Sequence, residues 1–194
     1  VRRETSGRIT VAGIEAESEG DSAFSNWVLE QPQIRVRNAT IVWDDRLRGA
    51  PQLVLEDLQF GLDNKGRRHL FGLSAAPPSE LAARIDVRGE VTGNIDDAVE
   101  NFAGQVYVQL DYADLAGWRN WVDYPVDLTE GHGALRFWGD LADGKGKVTT
   151  DLALDGVRVR LGKKLPELSL ESLRGRLEGS YKTGAWTLAG RKVE

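Results

Sequence analysis

The sequence predicts an all-β protein: a mainly antiparallel sheet built from hairpins, with one or two short helices. Three observations predict this fold class. Apolar residues alternate with polar residues through most of the 194 positions, as half-buried strands require. Clusters of Gly, Asn and Asp, which favour tight turns, lie between the alternating runs. Windows with helical periodicity are few and short.

The alternating runs extend from residue 33 to residue 188. Alternate side chains of an extended strand lie on one side of the sheet, so each run predicts a strand with one apolar face. The apolar positions of the first half are Ile34, Val36, Ile41, Trp43, Leu53, Leu55, Leu58, Phe60, Leu62, Ile85, Val87, Val106, Val108 and Leu110. Those of the second half are Leu135, Phe137, Leu152, Leu154, Val157, Val159, Leu161, Leu168, Leu170, Trp186 and Leu188.

Turn residues separate the predicted strands. They occur at 63–66, 92–94, 142–146 and 182–184, and each of these stretches contains a glycine. Glycine adopts the positive φ angles that hairpin turns need, whereas most other residues do so only at a cost. We therefore expect consecutive strands to be hairpin neighbours.

Two short segments have the pattern of helices. Asp114 is placed to cap a turn or two that contains Trp118 and Trp121 and ends at Pro125. The second helix is expected at 24–30. A further stretch, residues 94–101, is predicted to be a loop or a single helical turn.

One internal repeat occurs at an offset of 115 residues. PQLVLEDL at 51–58 matches PELSLESL at 166–173, and a strand of similar pattern precedes each copy. Repetition of a strand unit is typical of an elongated sheet in which each unit packs on its neighbours. We therefore expect residues 1–194 to form a single elongated segment, with repeat units near 33–75 and 150–190.

Composition excludes several classes of function. The 25 Lys and Arg residues against 30 Asp and Glu give a net charge of −5, which disfavours nucleic-acid binding. The absence of cysteine excludes disulfides, thiolate nucleophiles and Cys-based metal sites. No apolar stretch approaches the roughly 20 residues of a membrane-spanning helix. Zero methionines and a start at Val1 predict a piece of a longer or processed protein.

No residues assemble into a recognisable catalytic or metal site. His69 and His132 are the only histidines, and both are interpreted as structural. The carboxylate pairs at 44–45 and 96–97 lack calcium-loop spacing and are expected in solvated loops. No phosphate-binding glycine motif occurs either. The sequence therefore predicts no catalytic residues, no metal and no cofactor.

The six tryptophans are the most informative large side chains. They are Trp27, Trp43, Trp118, Trp121, Trp138 and Trp186. Core packing is the default interpretation, although such rings also stack on sugars, anchor protein contacts or lie at membrane interfaces. Trp118 and Trp121 are three residues apart, so on a short helix they share a face. They predict a lid or plug at one end of the sheet.

Several motifs occur in a specific order: NWVLEQPQI at 26–34, NATIVWDD at 38–45, LRGAP at 47–51, LDNKGRRH at 62–69, VQLDYADL at 108–115 and DYP at 123–125. In this order the chain resembles the YhdP family of AsmA-like proteins from Gram-negative bacteria. The resemblance runs from about residue 5 to the end of the chain.

The resemblance implies a fold and a function. Proteins of this family are long and periplasmic, are anchored in the inner membrane by an N-terminal helix, and carry phospholipids toward the outer membrane. Their sheet is curved into a groove, so this chain is expected to be a segment whose apolar face contacts acyl chains. The groove is predicted to be lined by Ile34, Val36, Ile41, Trp43, Leu53, Leu55, Phe60, Leu62, Ile85, Val87, Val106, Val108, Leu110, Leu135, Phe137, Leu152, Leu154, Val157, Val159, Leu168 and Leu170.

The expected partners are phospholipid, the remainder of the parent chain and, through an anchor outside this sequence, the inner membrane. Two alternatives stay open. The first is a glycan- or protein-binding β-sandwich, which predicts tryptophans on an exposed face beside Asn, Asp and Gln. The second is a structural spacer with a closed, dry core. An enzyme is disfavoured because nucleophile, base and metal ligands are lacking.

Overall fold

A computed structural model describes residues 1–11, 14–15, 23–93, 103–124, 126–142, 144–182 and 185–194. In these ranges, twelve strands form one open sheet in the order β12-β11-β10-β9-β8-β7-β6-β5-β4-β1-β2-β3. The prediction of an all-β, mainly antiparallel fold is confirmed. Every strand from β4 to β12 pairs with its sequence neighbour in antiparallel fashion, so this part of the sheet is a continuous meander.

The strands are β1 Arg2–Arg3, β2 Ile9–Val11, β3 Ile14–Glu15, β4 Gln33–Asp45, β5 Leu53–Lys65, β6 Arg68–Ala76, β7 Ile85–Thr92, β8 Ala103–Asp114, β9 Asp127–Ala142, β10 Lys145–Arg160, β11 Leu168–Lys182 and β12 Ala185–Arg191. Helix α1 spans Ala23–Glu30, and a short 3₁₀ helix spans Gly117–Asn120. Strand β1 pairs with β4 in parallel, an arrangement that the hairpin pattern does not predict.

Both predicted helices are present, with different lengths. Helix α1 ends two residues before Pro32, and the Asn64 side chain donates hydrogen bonds to the carbonyls of Val28 and Gln31 at 3.0 and 2.7 Å. The second helix is only a 3₁₀ turn. The backbone N–H of Gly117, the first residue of this turn, donates a hydrogen bond to Asp114 Oδ1 at 3.0 Å. Asp114 therefore caps the turn, as predicted. Pro125 and residues 94–101 lie outside the described residues.

Two of the predicted hairpin turns have the expected glycine geometry. Gly66 between β5 and β6 has φ of 59°, and Gly144 between β9 and β10 has φ of 67°. Parts of the other two predicted turns, residues 94 and 183–184, lie outside the described residues. Strand β6 was not predicted, because its adjacent Leu70 and Phe71 and its small residues blur the alternation.

A compact apolar cluster lies at one end of the sheet. It consists of Leu128, Leu154, Val157 and Val159 from β9 and β10. The connection between β8 and β9, residues 115–124 and 126, packs on this cluster through Leu115, Tyr124 and Val126. We call this connection the lid.

Candidate functional site

The predicted groove residues lie on one face of the sheet. Strand pairing aligns Val87 with Val108, and Val108 with Phe137, so these side chains form a row across β7, β8 and β9. Directly paired residues of antiparallel strands share a face. The same pairing, followed from strand to strand, places every predicted groove residue on this side. We call it the apolar face.

Irregularities within the strands are needed for this arrangement. Val36 and Ile41 are five positions apart, so regular alternation would place them on opposite faces. Asn38, with φ of 53°, interrupts β4 between them, and the register shifts there. Asp57 (φ 48°) has the same position between Leu55 and Phe60 in β5. Because a β-bulge adds one residue, each bulge returns the following apolar residue to the same face.

A similar irregularity occurs in the second half of the sheet. Leu154 and Val157 are an odd number of residues apart, and Gly156 between them has φ of 60°. The register between β9 and β10 shifts between Asp155 and Arg158. Both Leu154 and Val157 belong to the buried cluster, which shows that they share the apolar face. A bulge bends the strand that carries it. The two halves of the sheet therefore both bend at about the same distance along the strands.

The lid covers the end of the apolar face that carries the buried cluster. Trp118 Nε1 donates a hydrogen bond to the Leu81 carbonyl at 3.0 Å, and Trp121 Nε1 donates to the Pro51 carbonyl at 3.1 Å. The two rings meet edge to face with centroids 5.8 Å apart. The lid therefore reaches from β8 and β9 to the loops before β5 and β7, as the tryptophan spacing predicts.

Charged groups fasten the lid. Arg48 forms a two-pronged ion pair with Asp123 of the lid, and this hydrogen bond lowers the pKa of Asp123. The backbone N–H of Arg48 donates to Asp45 Oδ1 at 3.1 Å, and Arg3 binds the same carboxylate through Nε at 2.9 Å. A chain of ion pairs thus connects β1, the end of β4 and the lid.

The expectation that Asp44 and Asp45 lie in a solvated loop is wrong. Both belong to β4, and Asp45 is only 2% exposed. Burial raises the pKa of Asp45, but hydrogen bonds from Arg3 and the Arg48 backbone outweigh this effect and hold the pKa below its ordinary value. The cause is the parallel strand β1, which brings Arg2 and Arg3 beside the two carboxylates.

The apolar face is only partly open to solvent. Val36 in β4 is 36% exposed, whereas Val157 beneath the lid is 2% exposed and Leu62, near the β5–β6 turn, is 5% exposed. An apolar depression of about 250 Å³ lies across β6 to β10 near the hairpin turns. Its lining includes Phe71, Val91, Val106, Leu141 and Val148. An apolar surface without a second layer over it is unusual in a folded domain and indicates a binding surface.

The opposite face carries paired charges. Arg35 Nη2 contacts Asp63 Oδ2 at 2.7 Å, and Arg68 pairs with Glu90 on the neighbouring strand. Hydrogen bonds from Gln33 and then Arg35 lower the pKa of Asp63, and the bond from Arg68 lowers the pKa of Glu90. These carboxylates are therefore ionised at neutral pH. We call this side the polar face.

The histidines have structural surroundings. His69 is buried, with Nδ1 2.8 Å from Asn64 Oδ1 and Nε2 3.3 Å from the Gly93 carbonyl. His132 is exposed, and its ring centroid lies 6.1 Å from that of Tyr112. Within the described ranges, no three metal-ligating side chains come together. The pair at 96–97 lies outside those ranges.

The described residues contain no helix that is long and apolar enough to cross a membrane.

The β-sandwich form of the binding-module alternative is wrong, because the strands form one open sheet. The structure places both copies of the sequence repeat in equivalent settings, since β5 and β11 each follow a long strand with a bulge. The division into repeat units stays a prediction.

Comparison with known proteins shows the family. A protein-family model described as YhdP protein matches residues 2–194. The match covers nearly the whole chain and agrees with the resemblance that the ordered motifs indicate. No curated protein and no solved structure matches the chain significantly.

Proposed function

Because the chain belongs to the YhdP protein family, we propose that it is a segment of a conduit that shields phospholipid acyl chains between the inner and outer membranes. The observation that carries this proposal is the partly open apolar face. Its rows of side chains cross the strands, as in Val87, Val108 and Phe137, so an acyl chain can lie along the sheet.

The physical basis is the transfer of hydrocarbon out of water. Burial of one methylene group contributes about 0.8 kcal/mol, so a chain of more than ten methylenes gains a large free energy on such a surface. The phosphate head can stay in water at the edge of the sheet. Paired charges on the polar face keep the other side hydrated. Binding of this kind needs shape and apolar area rather than catalytic groups.

The proposal includes a location. The segment acts in the periplasm, as part of a longer chain that an inner-membrane anchor outside this sequence holds in place. The remainder of that chain extends the conduit on either side of the segment. In this arrangement the lid closes one rim of the apolar face, and lipid occupies the uncovered region beside it.

Site-specific photo-crosslinking tests the proposal. We would place a photoreactive residue at Val108, on the apolar face, in the longest natural chain that contains this sequence. The matched control is Gln109, the next residue on the same strand, which points to the polar face. We expect a phospholipid adduct at position 108 and none at 109, measured by mass spectrometry. Absence of an adduct at 108, or equal adducts at both positions, would refute the proposal.

A further inference from the structure

A second depression lies on the polar face, on the other side of the sheet from the proposed lipid path. Its volume is about 680 Å³, within the range of roughly 300–1,000 Å³ typical of small-molecule sites. Gly61 and Gly72, directly paired on β5 and β6, form its floor. Arg35 and Arg88 stand on the two sides of this pair. We call it the polar-face depression.

The glycine floor creates space rather than a turn. Neither Gly61 nor Gly72 has a positive φ, so their backbone conformation does not require glycine. A Cβ added at Gly72 would meet only the Val87 carbonyl oxygen, at 4.0 Å, whereas one added at Gly61 would lie 3.3 Å from Arg35 Nη1, so the open space is at Gly72. Glycine inside a strand costs stability relative to a residue with a side chain, and it often marks close approach of a ligand.

The arginines around the depression are already paired. Arg35 binds Asp63 through two contacts of 2.7 and 2.8 Å, and Arg88 binds Asp86 through two contacts of 2.9 Å. Glu90 binds Arg68. Since Arg35 and Arg88 are each paired with a carboxylate within the protein, the depression offers no free arginine that would select an anion. A neutral polar ligand fits it better.

An aromatic pair forms one wall. The rings of Tyr107 and Trp138 lie 5.4 Å apart on adjacent strands, and the Tyr107 hydroxyl donates to Gln109 Oε1 at 2.9 Å. Gln105 and Asp140, also paired across β8 and β9, border the same depression. Aromatic rings accept the C–H face of a sugar, and amide and carboxylate groups bond its hydroxyls.

We propose that the polar-face depression binds a neutral saccharide, with the sugar ring against Tyr107 and Trp138 and over Gly72. The arrangement places a half-buried tryptophan, whose ring also has the Arg176 guanidinium 5.9 Å from its centroid, beside Gln and Asp on an open sheet. It is independent of the lipid path, because Tyr107 and Trp138 point to the face opposite Val108.

The test is titration of the purified full chain with three neutral oligosaccharides: triacetylchitotriose, maltotriose and cellotriose. Calorimetry and tryptophan fluorescence report binding. We expect at least one to bind, and Gly72→Val, which fills the floor, to weaken it at least tenfold. Trp138→Ala should also weaken binding at least tenfold, and it replaces Gly72→Val as the test if that variant fails to fold. Thr40→Val, an exposed residue outside the depression, is the matched control.

Three results would overturn the proposal. The first is that none of the three oligosaccharides binds. The second is that Gly72→Val and Trp138→Ala both fold and still bind with unchanged affinity. The third is that Thr40→Val weakens binding as much as they do. The variants also separate this proposal from the lipid conduit. Gly72→Val and Trp138→Ala should leave phospholipid crosslinking at position 108 unchanged, so either proposal can fail alone.

Discussion

At the residue scale, Asp45 is the carboxylate on which the fastening of the lid depends. It is almost fully buried and is bound by Arg3 and by the backbone of Arg48. Removal of one partner leaves the other charge poorly solvated, so we expect Asp45→Ala to lower the free energy of unfolding by about 3 kcal/mol. Asp44→Ala is the matched control, because its pair with Arg2 is exposed and should contribute less than about 1 kcal/mol.

Urea unfolding of both variants provides the measurement. Equal losses for Asp44→Ala and Asp45→Ala would contradict this assignment, since they would mean that burial makes no difference. Sequence alone does not distinguish these neighbours. Their difference arises from β1, a strand of two residues whose parallel pairing with β4 has no local signal.

The same carboxylate predicts a dependence on pH. The folded pKa of Asp45 lies below its ordinary value, so its contribution to stability is present above that value and is lost as the pH falls through the folded pKa. We expect stability to decline below about pH 4, the ordinary range for Asp. Asp45→Asn should show a shallower decline in denaturant titrations at several pH values. An unchanged slope would show that other carboxylates account for the whole effect.

At the element scale, the lid depends on its tryptophans. Full burial of a tryptophan is worth roughly 3–5 kcal/mol, and the rings of Trp118 and Trp121 are only half-buried. We therefore expect the double replacement by alanine to lower stability by about 3 kcal/mol in total. Val122→Ala is the control, because that side chain is exposed and should change stability by less than about 0.5 kcal/mol. An unchanged melting curve for the double variant would show that the lid adds nothing to the fold.

Gly133 is a position near the lid at which the strand requires glycine. Gly133 in β9 has φ of 147°, and a Cβ there would lie 2.1 Å from the Ala153 carbonyl oxygen. We expect Gly133→Ala to cost at least about 2 kcal/mol, because strained backbone alone costs roughly 1–3 kcal/mol. Gly146→Ala, which would make only an ordinary 3.6 Å contact, should be nearly neutral. Equal effects in thermal unfolding would contradict this close approach of β9 and β10.

Strands and turns could be predicted from the sequence because their signals are local. The bulges could not. Asn38 and Asp57 adopt positive φ without being glycine, and only the paired strands show that Val36 and Ile41 share a face. The lid contacts are equally non-local: Arg48 and Asp123 are 75 residues apart. The local pattern therefore predicts which segments form strands and turns. Long-range pairing decides which apolar side chains share a face and which of them the lid covers.

At the scale of the whole molecule, two environments share one apolar face. The part beneath the lid resembles an ordinary core, and the part across β6 to β10 toward the hairpin turns is partly open, although Leu62 beside the β5–β6 turn is 5% exposed. Which apolar side chains share a face within an unbroken run of a strand could be predicted from alternation. The boundary between covered and open regions could not, because it depends on the ion pair and hydrogen bonds that fasten the lid. The polar-face depression has no sequence signal either, since Gly61 and Gly72 resemble any strand glycine until pairing brings them together.

Charge substitution on the two parts of the apolar face tests this division. Leu154, 6% exposed, lies in the buried cluster, whereas Val108 is half-buried in the uncovered region. An unpaired charge in a closed core costs several kcal/mol, so Leu154→Asp should unfold the protein. At Val108 an aspartate can reach water, and the loss in chemical denaturation should be clearly smaller. Equal losses at the two positions would mean that the face is sealed throughout, and an acyl chain would then have no surface to occupy.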